Sequence, residues 1–310
     1  MDRRAFLGAA AGAVTAAGAA SGEDETAVLP IVDTHQHLWD LGKFRLPWVK
    51  KGDPLDRNHL MSDYLREAKG LNVVKTVYME VDVDPAQQDA EAEYVTGLCQ
   101  KADNPMVAAV ISGRPASDGF AAYIRKYRDS AYVKGVRQVL HVPSTPAGCC
   151  LEPKFVAGVR LLGDLGMSYD LCMRPEELAD AAKLIDACPQ TRFILDHCGN
   201  AKVQEKDRTQ WHKDIAAVAK RKNVVCKVSG IVAGAKPKEW KADDLAPIIK
   251  HVLAVFGPDR VMFGGDWPVC TKAATYRQWV EALKLIVKDR PAAAQRKLFH
   301  DNAVVVYGLG

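Results

Sequence analysis

A chain of 310 residues, 48% hydrophobic and 26% charged, has an ordinary globular composition and room for one large α/β domain or two small ones, which excludes a disordered or fibrous protein. Its formal net charge of +4 is mild and evenly spread, so nothing in it argues for nucleic acid as a partner. The class left is a folded globular protein.

The chain begins MDRRAFLGAAAGAVTAAGAA, a twin arginine (Arg3, Arg4) ahead of a mild Ala/Gly-rich apolar stretch. This is the pattern of a twin-arginine export signal, with Ala17-Gly18-Ala19 as a small-residue cleavage site. The stretch is short and weakly apolar for a spanning helix. The expectation is an exported, periplasmic protein without stable membrane insertion, an uncleaved N-terminal anchor being the alternative. Residues 1–28 are read as leader and linker, and 29–310 as one domain.

The first strand is expected over 31–35 and runs into His35-Gln36-His37. Side chains alternate along a strand, so the two imidazoles share a face. The loop over 39–60 is too long for an idle connection, and Trp39, Phe44 and Trp48 are candidates to wall a pocket. Strands then follow at 73–81, 106–111, 133–140, 167–173, 193–197, 224–229 and 260–264. Helices are expected at 61–69, 85–101, 118–128, 153–165, 175–187, 210–221 and 244–256, with two closing helices at 276–288 and 292–299. Such alternation means a parallel sheet wrapped by helices, and eight units in this length favour a single-domain (β/α)8 TIM barrel over an open sheet. No G-x-G-x-x-G follows the first strand and no P-loop occurs, so the nucleotide-binding versions have no support. Eight cysteines are present without a C-x-x-C, and they read as mostly free thiols.

In such barrels the active site lies at the C-terminal ends of the strands. There the chain places His35, His37, Glu80, Asp82, Arg137, His197, Lys227, Ser229 and Asp266. Three imidazoles and a carboxylate suit zinc or a similar divalent ion. Water bound to such an ion loses a proton near neutral pH and attacks a carbonyl. Asp266 is the candidate base that passes the proton to the leaving oxygen, with His197 beside it as the second catalytic candidate. Arg137 is read as holding a substrate carboxylate or polarising a carbonyl, and Glu80 as structural. An ammonium in an apolar strand is costly unless paired, so Lys227 is expected to reach a partner or the pocket. Trp39 and His141 complete the substrate-contact set. His59, His212, His251 and His300 read as surface or helix residues.

Five motifs in order resemble a known family: Asp33-Thr34-His35-Gln36-His37-Leu38-Trp39-Asp40, Gly135-Val136-Arg137, Leu195-Asp196-His197-Cys198-Gly199, Lys227-Val228-Ser229-Gly230 and the run from Arg260 to Val269. They resemble the amidohydrolase-related (amidohydrolase 2) proteins, and within them the lactonase branch that includes L-fuconolactonase-like, L-rhamnonolactonase-like and pyrone-dicarboxylate lactonase-like enzymes. The resemblance runs from about 29 to 307. It implies a distorted barrel, hydrolysis of a cyclic carboxylic ester, and His35, His37, His197 and Asp266 as the active-site quartet. The branch lacks the bridging lysine and extra histidine of two-metal relatives, so at most one divalent ion is implied. Without an ion, His and Arg side chains would polarise the carbonyl and Asp266 would activate water directly. The expected activity is opening the lactone of a sugar acid or similar small carboxylate. A metal-dependent decarboxylase and a non-catalytic binding protein are the alternatives. Oligomeric state has no signal in the sequence.

Overall fold

Runs such as IVDTHQ, MVAAVIS and SYDLC bury almost every side chain, as strands covered on both faces must. In the computed structural model, which describes residues 28–310, these runs become the staves of a barrel. The twin-arginine stretch lies outside the described residues. The strands are β1 (Ile31–Gln36), β2 (Val73–Met79), β3 (Met106–Ser112), β4 (Val133–Val139), β5 (Ser168–Cys172), β6 (Arg192–Leu195), β7 (Val224–Val228) and β8 (Val261–Phe263). They pair in sequence order, every ladder parallel.

Helices fill the connections for local reasons. Pro153 opens the helix Pro153–Asp164, where its missing N–H costs nothing. Thr275 caps Tyr276–Val287 by accepting from Gln278 N, and the Gln278 side chain returns to the Thr275 backbone. Leu245, Ile248, Ile249, Val252 and Phe256 form the buried stripe of Ala242–Phe256. The helix expected over 118–128 is shorter, Phe120–Arg125. The closing helical segment extends past 299 into Asn302–Tyr307.

That extension plugs the barrel. Ala303, Tyr307 and Leu309 pack on an interior layer of Val32, Val77, Met79, Val110, Ile194 and Met262. Lys75 and Arg192, at the N-terminal ends of their strands, donate to the Leu309 and Val306 carbonyls. The opposite end is left open.

The ring closes unevenly. Among the described residues, β8 and β1 share no ladder, and only an isolated bridge joins Gln36 to Trp267, beyond the end of β8. The seam is stitched instead by single bonds. Thr34 Oγ1 donates to Phe263 O at 2.6 Å and Gly265 N to Asp33 Oδ1 at 2.7 Å. Asp266 N donates to His35 O at 2.7 Å and His37 N to Trp267 O at 2.8 Å. The distortion therefore falls on the stretch that holds His35, His37 and Asp266.

The long loop is anchored by backbone pairing of Trp39 with His59. This overturns the surface reading of His59, which is 1% exposed. Its ring meets Trp39 and Trp267 edge-on, and neither ring nitrogen has a partner. Burial lowers its pKa to about 4. All eight cysteines are free, and seven of them are buried.

Candidate active site

The open end holds a cavity of about 290 Å³, at the small end of ligand sites, which run about 300–1,000 Å³. His37, Arg137, His141, Cys172, His197 and Asp266 line it together with Trp48 and several valines.

Asp33 roots the site. Its carboxylate accepts from His35 N, Gly265 N, Tyr64 Oη and Tyr276 Oη at 2.7–3.0 Å. Burial still raises its pKa, against those four bonds. A Cβ at Gly265 would overlap this carboxylate, so only glycine lets β8 come so close to β1. On the far side, residues 197–200 form a left-handed turn, with φ of 53°, 53°, 66° and 52° in order. Non-glycine residues reach that region at a cost, which functional sites commonly carry. The turn swings the His197 ring over Gly230, where a Cβ would collide with the imidazole.

Hydrogen bonds assign the imidazole nitrogens. His37 Nδ1 lies 2.9 Å from Met79 O. A carbonyl only accepts, so Nδ1 donates and Nε2 faces Asp266 Oδ1, 3.2 Å away. His35 Nε2 lies 3.2 Å from Arg137 Nη1. A guanidinium only donates, so Nε2 accepts and Nδ1 carries the hydrogen, 3.5 Å from Asp196 Oδ1. His197 Nδ1 lies 2.9 Å from Ser229 Oγ, leaving Nε2 for the cavity. The His35 and His197 rings sit 4.5 Å apart, and those of His35 and His37 4.9 Å. Burial lowers the pKa of His197 and lowers that of His35 further, so both are neutral at pH 7.

This donor set fits a cation. His37 Nε2 and Asp266 Oδ1, 3.2 Å apart, attract only with a proton or a metal ion between them. His35, His197 and Asp266 offer ligand atoms all within 4.8 Å of one another. His37 joins that group through Asp266, while His35 Nε2 is shared with Arg137. Cys172, Asp196 and His197 make a second such group, but Asp196 is already engaged by two cations.

Beneath the cavity those charges are closed on one another. Arg137 donates Nε to Glu80 Oε1 at 2.6 Å, Nη2 to Glu80 O at 2.6 Å and Nη1 to Asp196 Oδ2 at 3.4 Å. Lys227 Nζ lies 2.7 Å from Asp170 Oδ2 and 3.3 Å from Asp196 Oδ1. Burial opposes the Asp196 charge, but Lys227 and His35 outweigh it and hold the carboxyl well below the usual range. Burial likewise opposes the Lys227 charge, and Asp170 with Asp196 raises its pKa regardless.

The structure thus brings His35, His37, His197, Asp266, Arg137 and His141 to one mouth. It corrects the expectation that Trp39 and Lys227 meet substrate. Trp39 is fully buried, its Nε1 donating to Arg57 O at 2.8 Å, and Trp48 lines the cavity in its place. Lys227 is fully buried and held by two carboxylates. Sequence reasoning assigned no role to Asp33, Asp170 or Asp196. The available signal was a carboxylate inside or ending an otherwise apolar strand.

Comparison with known proteins agrees with this picture. The amidohydrolase family model matches residues 32–309. L-fucono-1,5-lactonase of Burkholderia multivorans is 27% identical over 293 residues, covering 90% of this chain and 96% of that protein. A solved amidohydrolase from Burkholderia multivorans with bound zinc superposes with a TM-score of 0.79 at 24% identity, over 90% of this chain and 99% of that one. The 5-carboxyvanillate decarboxylase of Sphingomonas paucimobilis superposes with a TM-score of 0.64 at 13% identity, over 90% and 99%. The two superpositions show a shared (β/α)8 barrel.

Proposed function

This chain belongs to the amidohydrolase family, and on that premise we propose that it is a hydrolase opening the lactone of a sugar acid or similar small carboxylate by attack of an activated water. The observation that carries this reading is the mouth itself. The Asp266 carboxylate stands 3.2 Å from His37 and 3.7 Å from His35, beside a small cavity.

Asp266 takes a proton from the attacking water as the new C–O bond forms. It returns that proton to the ring oxygen as the ester C–O bond breaks, so the products are a hydroxyl and a carboxylic acid. Neutral His197, oriented by Ser229, turns Nε2 to the reacting carbonyl region. Arg137 has four of its five N–H groups engaged within the protein, which leaves one for substrate. His37 is fixed by the Met79 carbonyl and, through a proton or an ion between them, positions Asp266. His35, His37, His197 and Asp266 would hold one divalent ion, zinc by donor type, and such an ion lowers the pKa of bound water and polarises the carbonyl.

The test is a lactone panel in weak buffer with a pH indicator, read also by product mass, before and after chelation. Proton release with gain of one water supports the reading. Release of CO2 from a carboxylate substrate would identify a decarboxylase instead. Binding without turnover across the panel, with and without added metals, would leave a binding protein. The Arg3-Arg4 leader supports an exported enzyme, which cell fractionation checks.

A further inference from the structure

Away from the imidazoles and Asp266, hydrocarbon lines the cavity. Trp48, Val81, Val139, Val142, Ala233 and Val269 face it. Apart from the cations, each polar group among them has one atom engaged within the protein. Trp48 Nε1 donates to Val81 O and Asn200 Nδ2 to Met173 O, each at 2.7 Å. Asp82 Oδ1 accepts from Arg114 at 2.8 Å, and His141 Nδ1 lies 3.3 Å from Cys172 Sγ. Two cations line the cavity, Arg137 and Lys272. Arg137 is committed to Glu80 and Asp196. Lys272 is exposed and makes no ion pair among the described residues.

A polyhydroxylated ring brings one donor and two acceptors with every hydroxyl. A hydroxyl set against a valine gives up water without a replacement partner. An alkyl or aryl group set there gains by leaving water. A second carboxylate on the ligand would find no second uncommitted cation.

We infer that the substrate is a lactone whose ring carries an alkyl or aryl substituent, seated against Val139 and Val142, with no more than one carboxylate, met by Lys272. This inference rests on the lactone-hydrolase reading and, within it, selects an apolar-substituted small-carboxylate lactone over the lactone of a sugar acid.

The test uses the full-length protein and three γ-lactones of one ring size. One bears an alkyl chain, one is an aldono-1,4-lactone and one carries two carboxylates. The readout is kcat/KM with spontaneous hydrolysis subtracted. The alkyl lactone is expected to exceed both others at least tenfold, since one methylene in an apolar pocket is worth about 10–200-fold. Val139→Asn, and independently Val142→Asn in the neighbouring loop, should each shrink that preference through a raised KM for the alkyl lactone. Equal rates, a preference for the aldono- or dicarboxylated lactone, or an unchanged preference in both variants would overturn the inference while the hydrolase reading stands. Hydrolysis of none of the three would overturn both.

Discussion

Two layers of this barrel carry charge, and they dispose of it differently. In the lower layer Lys227, Asp170, Asp196, Arg137 and Glu80 are at most 4% exposed. Each meets an opposite charge at 2.6–3.4 Å. In the upper layer Asp266 meets imidazole nitrogens, and His37, His141 and His197 border open cavity. A charge closed on its counter-charge fixes geometry and leaves little for a ligand; of this layer Arg137 alone borders the cavity, with one N–H to spare. A lone pair left facing a carboxylate or a cavity is available for chemistry. The two layers meet at His35, whose Nδ1 turns to Asp196 below and whose Nε2 lies near Asp266 above.

Exchanging one group in each layer sharpens the contrast. Asp266→Asn should cost about 10²–10⁴ in kcat, the usual worth of a general base. Its thermal midpoint should stay near wild type, because Asp266 has φ 53° and asparagine tolerates that left-handed region. A variant that kept its activity would break the assignment of the upper layer. Lys227→Met should do the reverse. It leaves Asp170 buried without its cation and Asp196 with Arg137 alone, and breaking a buried pair costs about 3–5 kcal/mol, readable in denaturant melts. A melt unchanged from wild type would show that the lower layer is not a closed ionic unit.

Ser229→Ala removes the partner of His197 Nδ1. Loss of such an orienting bond typically costs about 10–100-fold in activity or metal affinity, with little change in melting. An unaffected enzyme would mean that the left-handed turn alone orients His197.

The smallest expected effect concerns pH. His59 has a folded pKa of about 4 against an ordinary value of 6.5. Between those values the unfolded chain binds the proton and the native one does not, so stability rises with pH. The contribution is complete above pH 6.5 and is lost as pH falls toward 4. His59→Phe should flatten part of the decline in melting temperature between pH 7 and 5. His35, also buried and neutral, keeps the remainder. A variant with the wild-type slope would remove His59 from this account.

The barrel was legible in the sequence because β-branched runs alternating with helical stretches leave few other architectures. The mouth was legible because His35, His37, His197 and Asp266 each sit at or just past a strand end. The lower layer was only half legible. Lys227 in an apolar strand announced that a partner was required, but its partner Asp170 is on β5, across the barrel interior from β7. Alternate strands fill the same interior layer, and that fact belongs to the closed ring and not to any local stretch. Trp39 and Trp48 were indistinguishable by composition. The pairing of Trp39 with His59 decides that the first is buried and leaves the second to the cavity.

The most direct test of the upper layer as a hydrolytic centre is to run the wild-type enzyme on lactones in ¹⁸O-labelled water and weigh the product. The account predicts one ¹⁸O atom in the new carboxylate, with a rate that Asp266→Asn lowers about 10²–10⁴-fold. Ring opening that takes no oxygen from solvent, or proceeds equally well in the variant, would contradict it.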